Sequence, residues 1–114
     1  MLSVVIYRST PVDAMSPEFE ADCRALLDRF FATCPDATMH ERALMALRLL
    51  RASEEPLKGN AKDWAAGIIY FVTTDGRFPC GVPGVLNAEF EQFMGITMGT
   101  ARYRAARVRE IVIF

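Results

Sequence analysis

The sequence predicts a mainly α-helical domain of about five helices, and three observations support this class. Apolar residues recur every three or four positions through residues 17–33 and 39–52, which is the period of an amphipathic helix. Residues 61–73 are apolar almost all round, which is typical of a helix at the centre of a bundle. Each of these segments also follows a residue type that commonly caps helices.

Length and composition predict a single domain. The chain has 114 residues, of which 52% are hydrophobic and 24% charged, an ordinary globular balance. We therefore treat residues 1–114 as one domain, with a lead-in over residues 1–15 and a helical core over residues 16–112. No apolar run approaches the roughly 18 residues of a membrane span. The apolar N-terminus lacks the basic start of a signal peptide, so we expect a cytoplasmic protein without membrane contact.

The first two predicted helices have recognisable starts. Residues 17–33 follow Ser16, an N-cap residue, and begin with a proline, which is favoured at the first helical position. Residues 39–52 follow Thr38, and Glu41 stands three residues after that threonine. Threonine and glutamate at this spacing predict a capping box that begins the second helix at Thr38.

The sequence also predicts a third helix, a loop and two short terminal strands. Residues 61–73 form the third predicted helix, capped by Asn60, and the turn-rich residues 74–85 form a loop. Short β-branched runs at residues 3–7 and 111–114 favour β strands. These strands would pair either within one chain as a two-stranded ribbon or with a strand of a second chain. The ribbon would end the last helix near Arg109, whereas without it that helix can continue to Val112.

The C-terminal third predicts a helix-turn-helix-like unit over residues 86–110. A short helix, with Asn87 near its start as a cap, leads through a turn at Gly95 into a longer helix capped by Thr97. Apolar residues at spacings of four, three and four predict the core stripe of the longer helix: Ala101, Ala105, Val108 and Val112. In DNA-binding proteins, a short helix, a tight turn and a second helix place that second helix in the major groove.

Positive charge is concentrated in the same segment, although the net charge of the chain is −1. Residues 1–57 carry six arginines against nine acidic residues, a net charge of −3. Residues 58–114 carry seven basic residues against five acidic ones, a net charge of +2. The basic half is therefore the part that favours nucleic acid.

The last predicted helix supplies the candidate DNA contacts. At about 100° per residue, a threonine, a tyrosine and two arginines fall together on its outward side, with Arg102 and Arg109 on one flank. Arginine pairs with phosphates or reads guanine edges, and the small residues at the helix start permit close approach. The predicted DNA-binding residues are Thr97, Thr100, Tyr103, Arg104, Arg107, Lys58 and Lys62.

Several stretches also carry a family resemblance: residues 58–70, residues 93–97 with Thr100 and Ala101, and residues 107–111. They resemble a bacterial family of uncharacterised helical domains that looks like a single cyclin-box repeat of the transcription-factor-IIB type. The resemblance covers roughly residues 16–112 and is most specific from Gly59 to Tyr70. It implies a cyclin-box-like bundle in which the helix over 61–73 packs behind a terminal helix-turn-helix. It implies a fold more than an activity, because cyclin boxes bind DNA in some proteins and only protein in others.

Two residues depart from the usual helix-turn-helix pattern. A small residue commonly stands four positions before the turn glycine, and Glu91 stands there in this chain. A β-branched residue commonly anchors the second helix at the position that Ala101 occupies. Both departures predict a loosened motif.

Two classes of function follow from these observations. The first is a DNA-binding protein, such as a transcriptional regulator, that acts as a homodimer or beside a partner because one small module offers few phosphate contacts. The second is a protein-binding module, such as an adaptor or an inhibitor encoded by a mobile element. Its contact surface would be the acidic face of Glu18 and Asp22 or the loop over residues 74–85.

The sequence gives no reason to expect an enzyme, a cofactor or a metal site. The three cysteines are widely spaced without a CxxC pair, which argues against a disulfide framework and a zinc site, and we expect them to be buried as small apolar residues. The single histidine, His40, has no nucleophile near it in sequence, and we expect it to face solvent or to cap its helix.

Overall fold

In the computed structural model of the protein, residues 15–74 and 81–112 are described, and they form five α-helices without a β strand among them. The prediction of a mainly helical chain with about five helices is confirmed. The helices are α1 (Pro17–Thr33), α2 (Ala37–Ser53), α3 (Ala61–Thr74), α4 (Asn87–Met94) and α5 (Met98–Ile111).

The predicted terminal strands fall largely outside the described residues. The run over residues 3–7 and residues 113 and 114 lie outside them, as do residues 75–80 of the predicted loop. For residues 111 and 112 the sequence left two alternatives, a strand or the end of the last helix, and in the structure Ile111 is the last residue of α5. The helix continues there because Val108 and Val112 extend the same buried stripe as the preceding turns.

The starts of α1 and α2 follow capping chemistry, but only the first was predicted at the right residue. The Oγ atom of Ser16 accepts a hydrogen bond from the N–H of Phe19 at 3.0 Å. In α2 it is Asp36 that accepts from the N–H of Met39, at 3.1 Å, so the predicted cap at Thr38 is wrong. Aspartate caps at least as well as threonine, and its charge also interacts favourably with the helix dipole.

The starts of the other helices are also defined by side chains. The Oδ1 atom of Asn60 accepts from the N–H of Asp63 at 3.1 Å, and the Oγ1 atom of Thr97 accepts from the N–H of Thr100 at 3.2 Å. Both predicted caps are confirmed. The cap position of α4 is Leu86 and not Asn87, which is the first helical residue.

Helix α3 is the centre of the bundle, as its uniform apolarity predicted. It packs against α1, α2 and α5, and its contact with α5 is the most extensive between any two of the described helices. Nine of its 14 residues are buried, including Trp64, which is 1% exposed. Burial of each large apolar side chain contributes about 1.5–3 kcal/mol, so this helix supplies much of the stability of the fold.

The other helices contribute one buried stripe each. The stripe of α5 is the predicted one, Ala101, Ala105, Val108 and Val112, with Met98 added at its start. In α1 the stripe ends on Phe30, whose ring meets Phe31, Phe90 and Phe93 edge to face at centroid distances of 5.0, 5.7 and 6.0 Å. This aromatic cluster holds the short helix α4 against the end of α1.

Within the described ranges, no helix is long and apolar enough to cross a membrane. The same residues contain no group of three histidine, cysteine or acidic side chains arranged to hold a metal ion. Cys23 is fully buried and Cys34 partly buried, whereas Cys80 lies outside the described residues.

Candidate nucleic-acid interface

The turn between α4 and α5 depends on one glycine. Gly95 adopts a left-handed conformation, with φ 71° and ψ 31°, which residues with a Cβ rarely adopt. The N–H groups of Gly95 and Ile96 both donate to the carbonyl oxygen of Glu91, at 2.8 and 3.3 Å. These two bonds satisfy an end carbonyl of α4 and turn the chain sharply toward α5.

The side chain of Glu91 connects the two helices that flank this turn. Its Oε2 atom accepts a hydrogen bond from the N–H of Met98, the first residue of α5, at 2.7 Å. Glu91 therefore satisfies a free N–H group at the start of α5 beside the Thr97 cap. The size of Glu91 was expected to loosen the turn, whereas its carboxylate ties α4 to α5. The other departure, Ala101, is fully buried against the core.

The side of α5 that faces solvent is rotated from the predicted side. Tyr103 is exposed as predicted, with 69% of its surface accessible. Thr100, Arg104 and Arg107 were predicted to share that side, but each is partly buried. The solvent-facing residues, called the exposed face of α5 below, are Gly99, Arg102, Tyr103, Ala106, Arg109 and Glu110.

Arg104 packs inward, so its predicted outward position is wrong. Its side chain is 18% exposed, and its guanidinium carbon lies 5.1 Å from the ring centre of Trp64 and 5.2 Å from that of Tyr103. A guanidinium nitrogen is 4.0 Å from Oδ2 of Asp63. The Nε atom of Arg104 is buried without a hydrogen-bond partner among the described residues. This geometry gives Arg104 a packing role between α3 and α5.

Arg107 is held by two carboxylates. Its guanidinium donates to Glu110 and to Glu55, each at 3.0 Å. The hydrogen bond to Glu110 is the main cause of a pKa of Arg107 above the ordinary arginine value. The charge of Arg107 is therefore paired with carboxylates of the same chain at the protein surface. The sequence did not indicate the pair with Glu55, because Glu55 lies on a distant segment.

The segment after α2 explains why the exposed face is rotated. Glu55 binds Arg107, and a Cβ on Gly59 would lie 2.6 Å from a guanidinium nitrogen of Arg104. The segment from residue 55 to residue 60 thus covers the side of α5 that the helical periodicity had predicted to face solvent.

Arg102 and Arg109 are the arginines of α5 that face solvent. Arg102 donates from Nε to the hydroxyl of Tyr70 at 3.3 Å, which orients its exposed side chain. Arg109 forms no ion pair with the residues that the structure describes. The sequence placed both on the flank of the predicted side, and the structure places them on the exposed face.

The two predicted lysines lie at different distances from the turn. The Nζ atom of Lys62 lies 3.6 Å from the position that a Cβ on Gly95 would occupy, so this exposed lysine stands beside the turn. Lys58 is also exposed, and its carbonyl oxygen accepts a hydrogen bond from Nε1 of Trp64 at 2.9 Å. Of the two, Lys62 is therefore the one that lies next to the turn between α4 and α5.

The residues predicted for a protein partner are accessible. Glu18 and Asp22 are both exposed on α1, whereas Glu20 between them accepts a hydrogen bond from Arg51 at 2.7 Å. His40 is partly exposed, and its ring also stacks on Phe31 with its Nε2 atom 2.7 Å from Oδ1 of Asp28. His40 thus joins α1 to α2 and has a structural role.

Comparisons of this chain with protein-family models, with curated proteins and with solved structures found no match.

Proposed function

We propose that this protein binds double-stranded DNA, with α4, the turn and α5 acting as a helix-turn-helix. The observation that carries the proposal is the composition of the exposed face of α5. It combines small residues, an exposed tyrosine and two solvent-facing arginines immediately after the Gly95 turn and the Thr97 cap. The resemblance to a cyclin-box repeat is compatible with this proposal, under which the protein would act as a transcriptional regulator.

Each residue type on this face has a use on DNA. Gly99 and Ala106 let the helix backbone approach the groove closely, while Arg102 and Arg109 supply donors for phosphates or guanine edges. Tyr103 offers a hydroxyl donor and an apolar ring for contact with phosphates or thymine methyl groups. The single carboxylate on the face, Glu110, is bound by Arg107, which lowers its repulsion of the DNA phosphates.

This proposal reassigns two of the predicted contacts. Arg104 and Arg107 become positioning residues, because one packs on Trp64 and the other is bound by two carboxylates. Arg102 and Arg109 become the arginines that are proposed to contact DNA directly. So few basic contacts predict weak binding by one copy, and we therefore propose that the protein acts on DNA as a homodimer or beside a partner protein.

The test is fluorescence anisotropy with a labelled random-sequence duplex at low and near-physiological salt. We expect salt-dependent binding that weakens by about tenfold or more in the double variant Arg102→Gln, Arg109→Gln, because two phosphate or base contacts are lost. The matched control is Arg24→Gln, Arg48→Gln, which removes the same charge from exposed positions on α1 and α2. If DNA binding weakens equally in both variants, the loss is due to net charge and not to the exposed face of α5. If the wild type does not bind DNA at low salt, the proposal is rejected.

The second proposal is a protein-binding module that uses the acidic face of α1. It is supported by the exposure of Glu18 and Asp22, neither of which forms an ion pair with a described residue. Under this proposal a stoichiometric partner is recovered from lysate by the wild type and lost by the variant Glu18→Gln, Asp22→Asn. The basic surface that a partner would offer to these carboxylates makes that interaction sensitive to salt.

A further inference from the structure

A cleft of about 620 Å³ opens beside the turn that precedes α5. Its walls are the middle of α1, the start of α3 and the end of α4, and Gly95 lies at its edge. Because α5 begins three residues after Gly95, the cleft and the exposed face share the same turn. The cleft and the start of α5 are therefore separated by no more than this short turn.

Two cationic side chains from different helices line the cleft. Arg29 comes from α1, and its guanidinium carbon lies 4.8 Å over the ring of Phe93 on α4. Lys62 comes from the start of α3 and stands beside Gly95. Both side chains are exposed, and neither forms an ion pair with another described residue. This distinguishes them from Arg104 and Arg107, which lie near carboxylates of the same chain.

The Phe93 ring also defines how Arg29 is presented. A guanidinium that stacks on an aromatic face keeps its N–H donors free at the edge, in the plane where a phosphate or carboxylate binds. The one carboxylate among the residues that line the cleft is Asp22, seven positions before Arg29 on α1. The charges of the lining residues therefore sum to a net positive value.

We infer that this cleft binds the sugar–phosphate backbone of the duplex, with Arg29 and Lys62 each paired with phosphate oxygens. The inference rests on the proposed DNA binding and adds a second contact surface to it. Contacts to phosphates from two walls of a cleft fix how the protein sits on the duplex, whereas the exposed face of α5 carries the contacts to bases. Asp22 opposes the phosphates in this arrangement, so its charge limits the affinity.

The experiment measures how the DNA affinity of the full chain changes with salt concentration in single variants. Each phosphate contact contributes about 0.9 to the slope of log K against log salt. We expect Arg29→Gln and Lys62→Gln each to reduce the slope by about that amount, on any duplex sequence. Arg29→Lys, which keeps the charge, should retain most of the slope. Arg24→Gln is the matched control on α1, because Arg24 is exposed and does not line the cleft.

The Asp22→Asn variant tests the inference through an expected gain in DNA affinity, whereas loss of folded protein would lower the affinity. Removal of the opposing charge should tighten DNA binding by about twofold to threefold at low salt. Glu18→Gln removes a carboxylate four residues away that does not line the cleft, and it should change the affinity less.

The outcomes separate this inference from the proposed function. One outcome overturns the inference alone. In it the wild type binds DNA and the double variant at Arg102 and Arg109 loses binding, but Arg29→Gln and Lys62→Gln show the same salt slope as the control Arg24→Gln. If the wild type does not bind DNA at low salt, both are overturned. A tight complex of the cleft with an acidic peptide that DNA does not displace would also overturn the inference.

Discussion

Arg104 lies so close to Gly67 that a Cβ at position 67 would come within 2.5 Å of the Cβ of Arg104. The same added carbon would lie 3.0 Å from the carbonyl carbon of Arg104 and 3.1 Å from the amide nitrogen of Ala105. Two of these three atoms belong to the backbone of α5, so a rotamer change cannot relieve the contact. The absence of a side chain at Gly67 is therefore what lets α3 and α5 pack at this distance.

The first prediction is that Gly67→Ala destabilises the protein by about 1–3 kcal/mol, which is the usual effect of overpacking a close helix contact. Alanine favours a helix over glycine by up to about 1 kcal/mol, so the packing strain must exceed that gain. Urea denaturation measures the free energy of unfolding. The control is Gly99→Ala on the exposed face of α5, where the nearest atom lies 3.7 Å away and alanine should be neutral or stabilising. A Gly67→Ala variant as stable as Gly99→Ala would contradict the geometry.

The second prediction concerns the side chain of Arg104 itself. Arg104→Ala removes the contacts with Trp64 and Tyr103 and leaves Asp63 without its basic partner. Cation–π contacts contribute about 0.5–2 kcal/mol each, so we expect a loss of roughly 1–3 kcal/mol in stability. Trp64 is the single tryptophan of the chain, and its emission spectrum reports the change directly.

The control for this prediction is Arg109→Ala, which removes an exposed arginine from the same helix. It should leave both the unfolding free energy and the Trp64 spectrum unchanged. If Arg104→Ala behaves like Arg109→Ala, the buried position of Arg104 does not contribute to the fold.

These contacts explain how far the sequence could predict the structure. Caps and core stripes depend on neighbours in sequence, so Ser16, Asn60, Thr97 and the glycine turn at Gly95 were predicted correctly. The cap of α2 was placed two residues late because Asp36 and Thr38 are both acceptable by local criteria, and the pattern of one helix does not distinguish them.

The exposed face of α5 was predicted less well, for a physical reason. Periodicity places Arg104 and Arg107 opposite the core stripe, but two contacts distant in sequence cover them. The absence of a side chain at Gly67 lets Arg104 pack against α3, and Glu55 binds Arg107. Neither contact can be recognised from the sequence of α5 alone. When a helix packs against several other segments, tertiary packing and not its apolar periodicity determines which side faces solvent.

The third prediction addresses the turn between α4 and α5. Glu91→Ala removes the acceptor for the N–H of Met98, and loss of a cap of this kind costs about 0.5–2 kcal/mol. We expect a lower melting temperature and faster amide hydrogen exchange in the first turn of α5. Gln92→Ala, at the exposed neighbouring position, is the control and should change neither. Unchanged exchange at the start of α5 in Glu91→Ala would show that Thr97 alone caps the helix.

The fourth prediction concerns the reactivity of Cys23. Burial is the main cause that raises the pKa of its thiol to about 12, and the charges of Asp22 and Glu20 add to this. The thiolate is the reactive form, so Cys23 should not react with iodoacetamide in the folded protein near pH 8. Cys34 is partly exposed and should react under the same conditions. Peptide mass spectrometry after labelling distinguishes the two cysteines.

The same pKa predicts how stability depends on pH at the alkaline end. The folded-state value of about 12 lies above the ordinary value of 9.0, so the folded state binds the proton of Cys23 more tightly. The contribution of Cys23 to stability is therefore fully present below about pH 9 and is lost as pH rises toward 12. Cys23→Ala removes this titration, so its unfolding free energy should fall less steeply between pH 9 and 11 than that of the wild type. Parallel pH profiles for the two proteins, or rapid labelling of Cys23 in the native state, would show that the thiol is accessible to water.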